Sequence, residues 1–339
     1  MLLLIIATGA LASLALAFAG YVSAFMPMSL MQQRVFGVAM IIVLSAINIV
    51  GVKPGARTTT ALTIIKVVGL GTLIVGGLLA PNMSARPEVM FGPAGKSLLA
   101  GFAAALVPIS FTYGGWQQLN FVAGEIKDAQ RKVPRAMALG VAIVAAVYVG
   151  ANLFYLRALG PQGMAESTAI AQGATEVLFG DVAARAITIL IAISILAFSN
   201  VVVMVTPRVF YAMARDGVFF NSLADIHPSF NTPAKAIILQ GVWAIALVLL
   251  GSIGALVNGV VFADWIFFAL GAASLFVFRR RNAGHATFQT PGYPIVPIFF
   301  VIAAMVAVGS AVVTYPRESI IGMAMLAVGV LFYYVRRAR

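Results

Sequence analysis

Long apolar stretches, separated by short polar gaps that are often marked by proline, run the length of the chain. Apolar runs of roughly 18 or more residues with few charges read as membrane-spanning helices. The pattern predicts ten such segments, near 2–26, 33–51, 58–80, 96–126, 134–158, 184–213, 233–250, 255–278, 294–313 and 318–336. Pro27, Pro54, Pro81, Pro93, Pro134, Pro161, Pro233, Pro294 and Pro316 fall at or beside their ends, where helix punctuation belongs. The first stretch, "MLLLIIATGALASLALAFAGYVSAF", has no basic leader and too long an apolar run for an ordinary signal peptide, so it reads as a first span. The expected fold is all-α, a polytopic membrane protein of about ten transmembrane helices.

One segment departs from the pattern. "SFTYGGWQQLN" (110–120) places Gly114-Gly115 and a run of amide and hydroxyl side chains inside the fourth span. Each glycine lowers helix propensity by roughly 1 kcal/mol and permits unwinding. An unpaired backbone group in lipid costs several kcal/mol, so irregular backbone at membrane depth must be buried in protein or line a wet cavity. Two arrangements fit: close helix packing at small residues with interhelical hydrogen bonds, or a discontinuous helix that binds a polar solute through its freed backbone groups. The density of polar groups around "GGW" favours the second.

Composition narrows the class. Of 339 residues, 62% are hydrophobic and only 9% charged, too apolar for a soluble fold of this size. There is no cysteine, which excludes disulfides and thiolate chemistry, and the only histidines are His227 and His285, so no metal site is expected. No cofactor is expected either, and no span carries a catalytic cluster, so an enzyme is not expected. The net charge of +12 would suggest nucleic acid in a soluble protein. Here the basic residues sort by loop: fifteen of the 22, including Lys127, Arg131, Lys132, Arg135, Arg279, Arg280 and Arg281, fall on one side and six on the other, with Lys66 inside a span. Basic loops mark the cytoplasmic side, which puts both termini inside the cell. The expected partners are the lipid bilayer and a small solute, not nucleic acid.

Three stretches carry a family likeness. "FTYGGWQQLNFVAGEIKDAQRKVPRA" (111–136) resembles the sixth helix and following loop of the amino acid–polyamine–organocation transporters, closest to the L-type and related bacterial amino acid permeases. "INIVGVKPGARTTTALTIIKVVGL" (47–70) is similar to the family's fourth-to-fifth helix passage, and "RVFYAMARDGVFF" (208–220) to the loop after its eighth helix. The resemblance implies a five-plus-five inverted repeat with two extra C-terminal helices, with broken first and sixth helices around a midplane site, working by alternating access. On that mapping 1–80 holds three helices of the first repeat, 96–279 the second repeat with its first helix broken near 113–116, and 294–339 the C-terminal pair. The family's first two helices have no counterpart here, so the expectation is a truncated product or a short homologue completed by another chain.

The resemblance also implies roles. Phe111 matches the aromatic lid over the substrate, Thr112, Tyr113, Gly114 and Gly115 offer backbone groups to it, and Gln117 adds a side-chain amide. Ser199 and Asn200 lie near the site by the same likeness; read alone, this polar pair in mid-span suggests interhelical hydrogen bonding. Lys66, read alone, is either a functional intramembrane charge or a snorkelling side chain. In sodium-independent family members a lysine at the matching position takes the place of a coupling sodium. The expected function is a secondary transporter or exchanger of amino acids, neutral and sodium-independent, in the plasma or inner membrane of a bacterium. The alternative is a transport-incompetent truncated homologue, or a membrane subunit whose site another chain completes.

Overall fold

The computed structural model describes residues 6–80, 112–167, 169–251, 253–281, 290–314 and 316–337, with the single positions 101, 105 and 109. The described chain is helical throughout: α1 (Thr8–Ser23), α2 (Leu30–Val50), α3 (Val52–Leu79), a single turn α4 (Gln118–Phe121), α5 (Ala129–Glu166), α6 (Ile170–Arg215), α7 (Ala234–Leu250), α8 (Ile253–Arg280), α9 (Ile295–Thr314) and α10 (Pro316–Arg337). Among the described residues, five helices are long and apolar enough to cross a membrane.

The core forms where α1, α2, α6 and α7 meet. Thr8, Leu11, Ala12, Ala15, Leu16 and Ala19 are all buried on α1, a helical stripe made mostly of small side chains. Small residues let helix backbones approach closely, the main source of association where lipid is as apolar as the side chains. Gly37 of α2 shows the consequence: a Cβ there would sit 3.1 Å from the Ala15 carbonyl oxygen. Met40, Ile41 and Leu44 of α2, Val202 and Val203 of α6, and Ile237, Ala244 and Val248 of α7 complete this core. The outer helices are far less covered. Of the most apolar membrane-length window in each, 44% is buried in α6 but only 11% in α3 and in α5.

Several helix ends differ from the sequence expectation. α2 begins at Leu30 rather than 33 because Ser29 and Gln32 form a capping box: the Gln32 N–H donates to Ser29 Oγ (3.3 Å) and the Ser29 N–H to Gln32 Oε1 (2.8 Å). α3 begins at Val52 rather than 58, directly after an extended Gly51. Pro54 falls in its first turn, where the missing N–H forfeits no intrahelical bond. In the stretch between the fifth and sixth expected spans, residues 159–166 and 170–183 also belong to helices. Gly160 (φ 68°, ψ 173°) and Gly180 (φ 77°, ψ −179°) turn sharp corners there, so that short helical pieces on either side of Ser167 connect the two spans. This arm packs on the ends of α3 and α5, with Ala174 and Leu178 against Phe154 and Ala158, and Phe179 stacked on Phe154 at 6.5 Å. Arg157 Nη1 donates to the Leu78 carbonyl, satisfying one of the acceptors that the end of α3 leaves open.

Candidate functional site

The fourth span is interrupted where the glycines predict. Positions 101, 105, 109 and 112 are helical, and residues 113–117 form a turn before α4. The Tyr113 N–H still donates to the Ile109 carbonyl (3.0 Å), a last helical bond. Gly115 then adopts φ +100°, a left-handed value that costs an L-residue roughly 1–2 kcal/mol and glycine almost nothing. The ring of Phe198 on α6 lies 3.3 Å from where a Cβ of Gly115 would be, a tight approach that a larger residue meets only if the ring shifts.

Side chains take up the backbone groups that the turn releases. Gly115 N–H donates to Oε1 of Gln117 (2.9 Å), and the Gln118 N–H closes the turn on the Gly115 carbonyl (3.1 Å). The Thr112 carbonyl accepts from the Tyr148 hydroxyl of α5 (2.9 Å). Thr112, Tyr113 and Gly114 are exposed and Gly115 and Gln117 half-buried, so the predicted substrate-contacting groups lie together on an open turn. Phe111, the predicted lid, lies outside the described residues. Trp116 turns the other way, against Phe268 of α8 (5.1 Å) and Phe300 of α9 (6.5 Å). Trp265 touches both of these rings (5.7 and 6.1 Å).

Ser199 and Asn200 sit apart from this turn in their bonding. Asn200 is fully buried. Its Oδ1 accepts from Asn48 Nδ2 of α2 (2.7 Å) and its Nδ2 donates to Thr59 Oγ1 of α3 (2.9 Å), tying three helices together. Ser199 is equally buried, and its hydroxyl has no partner among the described residues. Lys66 lines a cavity of about 100 Å³ between α3 and α6, walled by Leu70, Leu190, Ile191, Ser194 and Ile195. Among the described residues no group of histidine, aspartate and glutamate side chains is placed to hold a metal ion.

Tyr148 and Phe198 were not singled out in the sequence. Tyr148 lies 36 residues from Thr112 along the chain, and nothing local distinguishes it from an interfacial tyrosine. The Glu125 carboxylate pairs with Arg208 Nε of α6 at 2.6 Å, with the Arg208 side chain only 11% exposed. Asp128 takes the nearer lysine, Lys132, at 3.7 Å.

Residues 1–335 match the amino acid permease family. The serine/threonine exchanger SteT of Bacillus subtilis is 30% identical over 314 residues, 90% of this chain and 70% of that protein. The human b(0,+)-type amino acid transporter 1 is 27% identical, over 88% of this chain and 61% of its own length. The human cystine/glutamate transporter is 27% identical, over 87% and 59% respectively. The chain thus spans about 60 to 70% of the length of these relatives.

Proposed function

Because this chain belongs to the amino acid permease family, an integral membrane family whose relatives here are transporters rather than enzymes, we propose that it carries amino acids across a membrane by alternating access. The observation that carries this reading is the break at Gly115. Amid apolar helices, Gly115 holds a left-handed turn at which Thr112, Tyr113 and Gly114 are exposed and Gly115 and Gln117 half-buried, and such backbone persists in a membrane only where it meets protein or a water-filled cavity. Thr112, Tyr113, Gly114, Gly115 and Gln117 are the groups that meet the solute, and Phe111, next in the sequence, is the lid that the family likeness implies. Ser199 and Asn200 support the site from α6. The finer reading is exchange of neutral amino acids without sodium. Lys66, at the wall of the α3–α6 cavity, supplies the fixed positive charge that a coupling cation would otherwise bring. Both termini face the cytoplasm of a bacterial cell, and the helices follow the inverted-repeat plan.

The test is flux. Purified chain in liposomes loaded with unlabelled amino acid should take up labelled serine, threonine or a larger neutral amino acid at equal rates with and without a sodium gradient. Absence of exchange for every member of a broad amino acid panel would remove the reading. The uncovered faces of α3 and α5 favour one alternative, that helices from another polypeptide complete the site. In that case flux appears only when the second chain is reconstituted alongside.

A further inference from the structure

We propose that His227 is a positioning residue: its neutral ring holds the α6–α7 loop against the C-terminal end of α2, and a second proton on the ring releases that junction. The junction stands on geometry alone, while its consequence for flux rests on the transport reading.

The loop between Arg215 and Ala234 is held in two ways. Its first half has apolar anchors, with Phe219 and Leu223 packed against Phe210 and Ala214 of α6 and Ala236 of α7. Its second half has polar ones. Nδ1 of His227 accepts from the backbone N–H groups of Ser229 and Phe230, at 3.3 Å each. The His227 N–H donates to the Thr232 carbonyl, and the His227 carbonyl accepts from the Asn231 N–H, both at 2.9 Å. The Phe230 ring stacks on the imidazole, with centroids 4.6 Å apart and planes at 23°. One residue thus closes the turn 227–232 by ring and main chain together.

The far side of this turn is tied to the helices. Thr232 is 1% exposed, and its hydroxyl donates to the Ile49 carbonyl at 2.7 Å. Ile49 lies in the last turn of α2, where carbonyls lack partners within the helix, and α3 follows at once from Val52. The link therefore runs from the imidazole, through the turn, to the point where α2 passes into α3.

The ring chemistry makes this link responsive to protons. A neutral imidazole offers one bare nitrogen as acceptor; a charged one has two donors and no acceptor. Both N–H groups address Nδ1, so the bonded form carries its proton on Nε2. A second proton competes with Ser229 and Phe230 for the same lone pair. Imidazole is the side chain that ordinarily changes charge between about pH 5 and 8. The bonds are complete on the alkaline side of that range and lost on the acid side. The charged groups on the elements that meet here have other partners or face outward. Asp225 and Lys235 pair across the neck of the loop, and Arg215 of α6 lies over the Tyr211 ring. Asp216, and Arg57 of α3, are exposed, and the second half of α2 carries no charged residue. Among the described residues none forms an ion pair with His227.

The test is deuterium uptake by peptides covering 226–236 and 44–56, at about pH 8 and about pH 5.5, with the intrinsic exchange rate at each pH divided out. In the parent chain the protection of both peptides should fall about threefold to tenfold on acidification, the range for one net hydrogen bond. His227→Asn keeps a side-chain acceptor two residues before Ser229 and does not titrate, so it should match the parent at the higher pH and stay flat. His227→Phe keeps a stacked ring and loses the acceptor, so its protection should be low at both. Thr232→Val should leave the response of 226–236 in place and abolish that of 44–56. Equal profiles in the parent and His227→Asn overturn the proposal, as does parent-like protection of His227→Phe at the higher pH. If His227→Asn yields no folded protein, nitrogen-15 spectra of the His227 ring decide, with His285→Gln removing the other histidine. A neutral ring protonated on Nδ1 overturns the proposal, and a bare Nδ1 supports it. In liposomes, acid on the side this loop faces should slow exchange about threefold to tenfold more in the parent than in His227→Asn; equal slowing overturns the link to flux. If the parent moves no amino acid at either pH, the transport reading fails, and the deuterium comparison alone decides the role of His227.

Discussion

Around Gly115 the polar groups stand on a turn that is largely open, while around Asn200 groups of the same chemistry are sealed between three helices. Thr112, Tyr113 and Gly114 are exposed; Asn48, Ser199 and Asn200 are buried. In the first region irregular backbone supplies hydrogen-bonding capacity that a solute can use. In the second, Asn48, Asn200 and Thr59 spend theirs on one another at 2.7 and 2.9 Å. The difference lies in the backbone. An intact helix leaves only side chains to bond, and these find partners on neighbouring helices. A broken helix also frees main-chain groups, and here Gln117 and Tyr148 bond two of them while the turn stays open.

The sharpest way to break this comparison is Gly115→Val. Both the +100° φ and the Phe198 ring at 3.3 Å oppose it, and left-handed strain of roughly 1–2 kcal/mol adds to the clash. Amino acid exchange should fall at least about tenfold by that reckoning. Gly140→Ala on α5, where a Cβ meets nothing, should leave flux and stability unchanged or slightly improved. Gly37→Val tests the scaffold: its side chain meets the Ala15 backbone 3.1 Å away, and backbone does not yield as a side-chain tip would. Thermal unfolding in detergent should show a loss of about 1–3 kcal/mol, the usual penalty for overpacking.

Asn200→Leu removes two interhelical bonds and leaves Asn48 Nδ2 with the Leu44 carbonyl as its described acceptor. A loss of about 1–2 kcal/mol is expected on membrane-protein scales. A double-mutant cycle with Asn48→Leu should show coupling, since the two amides are in direct contact. Additive effects would show that the two asparagines act separately. Smallest of all should be Glu125→Gln. Its partner Arg208 is mostly buried, but the carboxylate side chain is 55% exposed, so thermal stability should drop by about 1 kcal/mol or less.

The chain's organisation was legible because its two strongest signals are local. Apolar length marks the spans, and Gly114-Gly115 among polar side chains marks the break; both are read without knowing what packs on what. The site turn was legible for the same reason. Helix ends were read less well, since proline served as a boundary marker: Pro134 lies inside α5, and Pro54 inside the first turn of α3. The arm between Gly160 and Gly180 carries no periodic signal, because its helical pieces are short and mixed in polarity. Tyr148, Phe198 and the Arg208–Glu125 pair depend on contacts between distant parts of the chain, and no single stretch of sequence carries those. The grouping of Asn200 with the site followed family likeness. Its bonds to the Asn48 amide and the Thr59 hydroxyl emerge only when α2, α3 and α6 are placed together.

The corners at Gly160 and Gly180 bear on how force passes through the molecule. A hydrogen-bonded rod delivers torque from end to end, but a residue near φ 70° and ψ 180° interrupts the ladder. Twist in α5 about its own axis therefore stops at Gly160 and does not wind α6 through the backbone. The arm and the two spans are thus coupled by side-chain packing, in which Ala174, Leu178 and Phe179 meet Phe154 and Ala158.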